Sequence, residues 1–193
     1  RLRTVVAGLG YAESPRWHGE EFWFVDSLSA TVHATDLAGR RRTIAAVPGV
    51  PAGLGFLPDG TPLVVARRER ALYAIGTDGA LRRHADLRPH ARGAANDLVV
   101  DAAGRAYVDH EGYDAEARDR PRPASLLLVE TDGRVREVAD GLTFPNGLAL
   151  TPDGRTLIVA EGYAARLTAF ELDADGVPRA RREWAPLWGH VPD

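Results

Sequence analysis

Four polar side chains stand at equivalent points of a repeated sequence pattern, and together they could bind a hard cation. Asn96 and Asn146 each lie eight residues before a turn glycine, and Glu13 holds the matching place before a shorter turn. Asp193 ends a phrase that parallels the one ending at Asn146, which places it at the same point of the next repeat. Two carboxylates and two amides offer only oxygen, which suits Ca²⁺ first and Mg²⁺ or Mn²⁺ after it. We therefore predict a cation site at which these four side chains meet.

A simpler explanation is that these residues only begin strands, since Asn and Asp turn and cap the backbone well. That explanation suffices for one such residue. It is weaker when four of the five equivalent positions carry an Asn, Asp or Glu. The fifth position is Ala52. Two carboxylates that face one channel are also costly to hold together without a cation. The repeat positions therefore favour a binding site.

The elements that carry these side chains are predicted from a phrase that recurs along the chain. A short apolar run leads to an Asp-Gly or Ala-Gly turn, and a run rich in Val, Leu and Tyr follows it, which is typical of a β-hairpin. The copies occupy residues 14–26, 53–66, 97–109 and 147–160. Their turn glycines lie 41, 44 and 50 residues apart, and two further strand-like runs follow each copy. Periods of this length suit a four-stranded propeller blade.

The sequence thus predicts an all-β propeller of four-stranded antiparallel blades, forming a single domain over residues 1–193. Equivalent positions of its four whole blades then converge on a central channel. Residues 3–9 are similar to residues 136–142, the outermost strand of a blade, so we predict that they form a closing outer strand. A closed ring would need more chain, and residues 191–193 read as the start of an interrupted element, so we expect a C-terminally incomplete propeller that is inactive by itself.

The composition excludes several classes of function. The 193 residues include 45% hydrophobic and 26% charged side chains with a net charge of −3, so no global field favours nucleic acid. The absence of cysteine excludes disulfides, zinc-thiolate sites and thiol catalysis. No run approaches the roughly 18 apolar residues that span a bilayer, and no signal-peptide pattern opens the chain. We expect a cytoplasmic protein that binds neither nucleic acid nor a membrane.

Several of these phrases resemble a known family. The residues that carry the resemblance are Glu13-Ser-Pro-Arg-Trp, Asn96-Asp97, residues 144–154 and the terminal Val-Pro-Asp193. They are similar to those of the gluconolactonase, senescence marker protein (regucalcin) and luciferin-regenerating-like family. The resemblance covers the whole chain but only about two-thirds of the usual family length. It implies a six-bladed β-propeller, of which this chain holds about four blades and a closing outer strand.

The resemblance also implies roles for the residues of the channel. Glu13, Asn146 and Asp193 match the family's metal ligands, and Asn96 matches a substrate-binding asparagine near the metal. Asp193 also matches the residue proposed as the base in lactone-hydrolysing members. The implied cofactor is one divalent cation, Ca²⁺ first, with Mg²⁺, Mn²⁺ or Zn²⁺ as alternatives. Sugar-lactonase members carry an arginine where this chain has Ala94, which argues against a sugar-acid lactone but leaves the metal site untouched.

Three functions fit these residues. The first is a metal-dependent hydrolase that opens a small-molecule lactone, in which the cation polarises the carbonyl and a water, activated by the cation or by Asp193, attacks it. The second is phosphotriester hydrolysis at the same site. The third is a non-catalytic binding platform, against which the carboxylates of the predicted channel argue. The sequence leaves the particular substrate and the oligomeric state open.

An insertion in the third blade is a further candidate. Residues 109–123 are rich in charge and proline, and His110 and Glu111 lie near their start. Long loops on a rigid scaffold often carry function. A lid or substrate-specificity loop and a solvated surface loop are both compatible with this segment.

Overall fold

Short strands alternate with tight turns along the molecule. The computed structural model describes residues 2–114 and 117–193, and sixteen strands form within those ranges. The strands pair in sequence order into four antiparallel sheets of four strands each. Within the same ranges the one helical element is a 3₁₀ turn at Gly162–Ala164, and no helix is long and apolar enough to cross a bilayer.

Each sheet is one blade, and its strands run from the inside of the molecule outwards. The first blade contains β1 (Ala12–His18), β2 (Glu21–Asp26), β3 (Thr31–Thr35) and β4 (Arg41–Ala46). The second contains β5 (Pro51–Phe56), β6 (Pro62–Ala66), β7 (Ala71–Ile75) and β8 (Leu81–Asp86). The third contains β9 (Ala95–Val100), β10 (Ala106–His110), β11 (Ala124–Val129) and β12 (Val135–Leu142). The fourth contains β13 (Pro145–Leu150), β14 (Thr156–Glu161), β15 (Arg166–Leu172) and β16 (Pro178–Pro186). The prediction of an all-β chain with four blades of this kind is confirmed.

The turns form where the recurring Asp-Gly pairs predicted them. Between β5 and β6, Gly60 adopts a φ of 85°, and the Asp59 carboxylate accepts a hydrogen bond of 2.9 Å from the Thr61 N–H. Glycine takes a positive φ at little cost, and an Asp side chain that bonds the backbone two residues on holds the turn closed. The same Asp bond recurs at Asp78, Asp132 and Asp153.

The hydrophobic core lies between neighbouring blades. Strand alternation sends one set of side chains to each face of a blade, so a blade buries both faces when it stands between two others. Leu54 and Val64 pack with the first blade, Leu63 and Leu98 join the second to the third, and Tyr107 packs with the fourth. Three such interfaces hold the four inner strands at fixed positions.

The N-terminal segment departs from its prediction. Residues 2–9 form no strand, because a strand needs a hydrogen-bonded neighbour and the described residues offer none there. The segment nevertheless occupies the place of an outer strand. A Cβ added at Gly39 would lie 2.5 Å from the carbonyl oxygen of Val5, just as one at Gly79 would lie 2.6 Å from that of Ile44 in β4.

Candidate functional site

The five equivalent positions of the repeats line one cavity of about 590 Å³. Glu13, Ala52, Asn96 and Asn146 reach it from the inner strands of the four blades, and Asp193 reaches it from the end of the chain. The structure therefore brings together all four oxygen-bearing side chains that the sequence singled out.

A local irregularity of the inner strands aims these side chains at the cavity. In each of the four blades the pairing register shifts beside the cavity-lining residue, for example between Glu13 and Arg16 in β1 and between Pro145 and Leu148 in β13. Such a bulge bends the strand and re-aims a side chain out of the regular alternation. Because the bulge recurs at the same repeat position, it points successive residues at one centre.

Two glycines let inner strands and the end of the chain approach each other closely beside the cavity. A Cβ at Gly53 would lie 2.6 Å from the backbone nitrogen of Leu98, and one at Gly147 would lie 2.6 Å from the carbonyl carbon of Asp193. Both glycines directly follow a cavity-lining residue, and a Cβ at either distance forces the backbone to move. They set the spacing between the side chains of adjacent blades.

The two asparagines form part of a chain of hydrogen bonds. The Nδ2 of Asn96 donates to the Oδ1 of Asn146 at 2.6 Å, and the Nη1 of Arg67 donates to the Oδ1 of Asn96 at 3.3 Å. Arg67 also forms an ion pair with Glu111. The Ser27 hydroxyl lies 3.0 Å from the Oε2 of Glu13 and 2.8 Å from the Pro51 carbonyl, and its one proton is shared between these two acceptors. Glu13, Asn96 and Asn146 are therefore each held by a neighbour.

A second cavity, of about 440 Å³, shares Tyr11 and Glu13 with the first, and we call it the mouth. Its lining is charged, and consists in large part of Arg67, Arg68, Arg70, Glu111 and Asp114. The start of the predicted insertion thus lines the mouth, and the Glu111 N–H anchors it to the Ala94 carbonyl at 3.0 Å. Residues 115 and 116 lie outside the described ranges, and residues 117–123 are exposed.

An ion pair between the first and third blades contributes to the lining of the same cavity. Arg16 donates from Nη2 to both carboxylate oxygens of Asp97, at 3.0 and 3.3 Å, and to the Leu98 carbonyl at 3.0 Å. The Ser14 hydroxyl adds a bond of 3.2 Å to the same carboxylate. Burial raises the pKa of Asp97, although the Arg16 charge and the hydrogen bonds oppose the rise.

Asp109 lies buried next to this pair. Its Oδ1 accepts a bond of 2.7 Å from the Asp97 N–H, whereas its Oδ2 has no partner among the described residues. Burial, together with the charge of Asp97, raises the pKa of Asp109 well above its usual range. The sequence gives one signal for this residue, since equivalent positions of the other second strands, Phe24, Val65 and Val159, are apolar.

A second ring of charged residues was missed from the sequence. Asp26, Arg67, Glu111 and Glu161 each lie seven residues after a turn glycine, at or just beyond the ends of the second strands. Asp26 accepts bonds from the N–H groups of Gly10 and Tyr11, and Glu161 accepts one from Thr143. These carboxylates clamp the chain as it enters an inner strand. Counting forward as well as backward from the turn glycines would have found this ring.

The donor set suits a hard cation. Among the described residues, no three His, Cys, Asp or Glu side chains form a ready metal cluster. The candidate site instead combines two carboxylates, from Glu13 and Asp193, with the amide oxygen of Asn146, and all three line the same cavity. Carboxylate and amide oxygens without nitrogen or sulfur are the ligands that Ca²⁺ and Mg²⁺ accept. The residues present therefore fit such an ion.

Fold and cavity together define a class of protein: a β-propeller whose inner strands carry oxygen-bearing side chains into a shared cavity. A family model described as the SMP-30/gluconolactonase/LRE-like region matches residues 11–193. The chain belongs to this family, as its sequence phrases indicated.

Individual relatives agree with this assignment. The chain is 28% identical over 174 residues to the diisopropyl-fluorophosphatase of Loligo vulgaris, covering 81% of this chain and 54% of that protein. It is 26% identical over 196 residues to the pentonolactonase of Haloferax volcanii, covering 99% and 64%. A gluconolactonase structure from Xanthomonas campestris superimposes with a TM-score of 0.82 at 22% identity, over 98% of this chain and 67% of that one, and shows the propeller fold. The matched part of the chain thus corresponds to between 54% and 67% of the length of these three proteins.

Proposed function

We propose that this cavity is the active site of a divalent-metal-dependent hydrolase that opens a lactone. The observation that carries the proposal is the meeting of Glu13, Asn96, Asn146 and Asp193 in one cavity. Oxygen ligands are what a hard Lewis acid requires, and a binding platform has no use for carboxylates in its channel. The name of the Haloferax relative, a pentonolactonase, supports the same class of substrate.

Each side chain has a role in this proposal. Glu13, Asn146 and Asp193 would hold the cation, with Ca²⁺ as the first candidate. When bound, such a cation polarises a substrate carbonyl and stabilises the negative charge that develops on its oxygen. Asn96 orients the substrate with its amide. Asp193, as base, takes the proton of the attacking water at a carboxylate oxygen.

Calorimetric titration of Ca²⁺, Mg²⁺ and Mn²⁺ into the chain tests the metal site. We expect stoichiometric binding that is lost in both Glu13→Ala and Asn146→Ala. Glu20→Ala is the matched control, because Glu20 is an exposed carboxylate of the turn after β1 and lies away from the cavity. Binding that survives both site substitutions would refute the site.

A panel of lactones then tests the substrate class. Hydrolysis is followed by acid release in whichever cation binds, and saturation-transfer NMR detects lactone binding without turnover. We expect Asn96→Ala to weaken lactone binding even at a cation concentration that saturates the variant. The same assay decides whether the 193 residues are inactive by themselves, as the sequence suggests. A panel in which no lactone binds the cation-loaded chain contradicts the lactonase proposal.

The second candidate is hydrolysis of a phosphotriester or phosphofluoridate. The relation to a diisopropyl-fluorophosphatase favours it, and a cation in this cavity would polarise a phosphoryl oxygen as well as a carbonyl. A phosphofluoridate assayed beside the lactones separates the two, since fluoride release and ring opening are measured independently.

We further propose that these blades belong to a single six-bladed domain. Residues 2–9 support this, because Val5 holds the place of an outer strand from a neighbouring blade. The share of the Xanthomonas structure that the chain covers, 67%, equals four blades out of six. An experimental structure of the protein with any further residues that follow Asp193 would test the blade number.

A further inference from the structure

The amide of Asn96 lies between a donor-only group and a second amide. We propose that Arg67, anchored by Glu111, is a positioning residue that fixes the orientation of the Asn96 amide and, through it, turns the oxygen of Asn146 towards the cation position. This inference deepens the proposed function and rests on it for the identity of the cation site. The hydrogen bonds themselves join only side chains of this chain.

Arg67 lies where it can reach two residues of the next blade. It directly follows β6, and its carbonyl accepts a bond of 3.2 Å from the Ala95 N–H, which holds the turn against the start of β9. Its guanidinium donates hydrogen bonds to both residues, from Nη1 to Asn96 and from Nη2 to Glu111. The planar guanidinium fork can serve two partners at fixed angles.

The guanidinium of Arg67, which can only donate hydrogen bonds, selects one of the two orientations of the Asn96 side-chain amide. The oxygen and nitrogen of an Asn side chain exchange places on a flip with little change of shape, so packing alone does not choose between them. A guanidinium has donors only, and the atom of Asn96 that faces it must therefore be the oxygen. That leaves Nδ2 to face Asn146, to which it donates at 2.6 Å.

The selection passes on to Asn146. If Asn96 were flipped, its oxygen would face the oxygen of Asn146, and two acceptors at 2.6 Å repel each other. Asn146 would then have to turn its NH₂ group towards Asn96 and rearrange the oxygen that serves as a ligand. An NH₂ group cannot bind a hard cation. Arg67 thus protects a metal ligand two hydrogen bonds away.

Glu111 keeps the guanidinium in place. The Arg67 side chain is 31% exposed and that of Glu111 is 12% exposed, so their ion pair lies partly out of water at the cavity mouth. Without this anchor, a long Arg side chain beside open solvent would lose its fixed direction. The carboxylate also offsets a positive charge close to the proposed cation.

The sequence offers an unusually direct measurement. Asn96 and Asn146 are its only side-chain amides, since it contains no other Asn and no Gln. The side-chain NH₂ region of a ¹H–¹⁵N spectrum therefore holds two pairs of signals, both from this site, and Asn96→Asp assigns them. We expect the Asn96 pair to be protected from solvent exchange in the unsubstituted chain and to shift and lose that protection in Arg67→Met.

Arg70 supplies the matched control. It lies in the same turn and lines the same mouth, but its Nη1 donates to the Ala91 carbonyl at 3.1 Å and not to Asn96. Arg70→Met should leave the Asn96 signals unchanged, and Arg67→Lys, which keeps a charged donor, should restore part of the protection. Unchanged Asn96 signals in a folded Arg67→Met would overturn the proposal. Should that variant not fold, unchanged Asn96 signals in Glu111→Ala, which removes the anchor of the guanidinium, would overturn it.

Cation affinity provides a second test of the role of Arg67. Positioning groups behind a metal ligand typically contribute 10- to 100-fold in affinity, so we expect Arg67→Met to weaken Ca²⁺ binding by that factor. Because Arg67 acts through Asn96, adding Arg67→Met to Asn96→Ala should cause little further loss. Losses that multiply in the double variant overturn the relay. A chain that binds no cation refutes the proposed metal site instead, and the NMR comparison still decides the role of Arg67.

Discussion

Two adjacent residues at the end of β10, Asp109 and His110, are buried, and burial disfavours the charged form of both side chains. The His110 ring is fixed by the Gly112 N–H, which donates to Nδ1 at 3.0 Å, and by the Ser125 hydroxyl, 3.0 Å from Nε2. An Nδ1 that accepts a hydrogen bond carries no proton, so this environment is built for the neutral ring. Burial lowers the pKa of His110 to about 4. The sequence marked His110 as a possible part of a functional loop, whereas these contacts make it a structural residue.

His110 should therefore make the protein sensitive to mild acid. Between pH 6.5 and about 4 the unfolded chain binds a proton that the folded chain refuses, so stability falls as the pH falls through this window. The loss amounts to at most about 1.4 kcal/mol per pH unit. We expect His110→Gln, which cannot take up a proton, to flatten urea-unfolding stability over this range. An equally steep slope in the variant would show that other groups cause it.

Asp109 should produce the opposite dependence. Its folded pKa is raised, so the folded chain holds a proton that the unfolded chain loses above about pH 4, and stability falls as the pH rises. Asp109→Asn keeps the shape and the acceptor for the Asp97 N–H but cannot ionise. We expect the variant to match the unsubstituted chain near pH 4 and to exceed it near pH 8, measured by urea unfolding. A variant that is less stable at pH 8 would mean that the carboxylate has an unrecognised partner.

At the scale of elements, the bulged inner strands and their glycines position the site. Gly53 allows β5 to lie close to β9 beside the cavity. A Cβ there would lie 2.6 Å from the backbone nitrogen of Leu98 and 2.8 Å from the Asn96 carbonyl oxygen. Backbone atoms cannot move aside as a flexible side chain does. Any side chain at residue 53 must push the start of β9, and Asn96 with it.

We expect Gly53→Ala to cost about 2 kcal/mol or more, in the range of overpacking a tight contact. It should also disturb the side-chain NH₂ signals of Asn96. Gly154→Ala is the matched control, because a Cβ there meets nothing within 4 Å and the substitution bears only the cost of a left-handed backbone, about 1 kcal/mol. Equal losses of stability in the two variants, read from chemical denaturation, would contradict the close-approach argument.

The elements also explain what the sequence could and could not predict. The strands and Asn96 were predictable because each blade repeats one hairpin phrase, and the repeat offset carries over to the cavity. Arg67 obeys a similar offset, but its bond to Asn96 joins neighbouring blades and leaves no periodic trace. Residues 3–9 were predicted as a strand from their resemblance to residues 136–142, yet strand formation depends on a partner that a local pattern does not contain.

At the scale of the molecule, apolar interfaces hold neighbouring blades together, and a group of bonds around Arg16 and Asp97 joins two blades that are not neighbours. Arg16 in β1 and Asp97 in β9 lie 81 residues apart and belong to the first and third blades. Their side chains are 27% and 15% exposed, so the pair is largely out of water. Apolar interfaces fix each blade against the next. The Arg16–Asp97 pair instead joins β1 of the first blade directly to β9 of the third.

Breaking this pair should destabilise the whole chain. We expect Arg16→Met to cost about 3 kcal/mol, because it leaves the buried Asp97 carboxylate without its counter-charge. In the double variant with Asp97→Asn the charge is also gone, so the loss should be smaller than the two single losses together by about 1 kcal/mol or more. The exposed pair Arg42–Glu21 of the first blade, with its bond of 2.6 Å, is the control, and breaking it should cost under about 1 kcal/mol. Urea unfolding of all variants measures these losses, and single losses that simply add would mean that Arg16 and Asp97 stabilise their own blades without linking them.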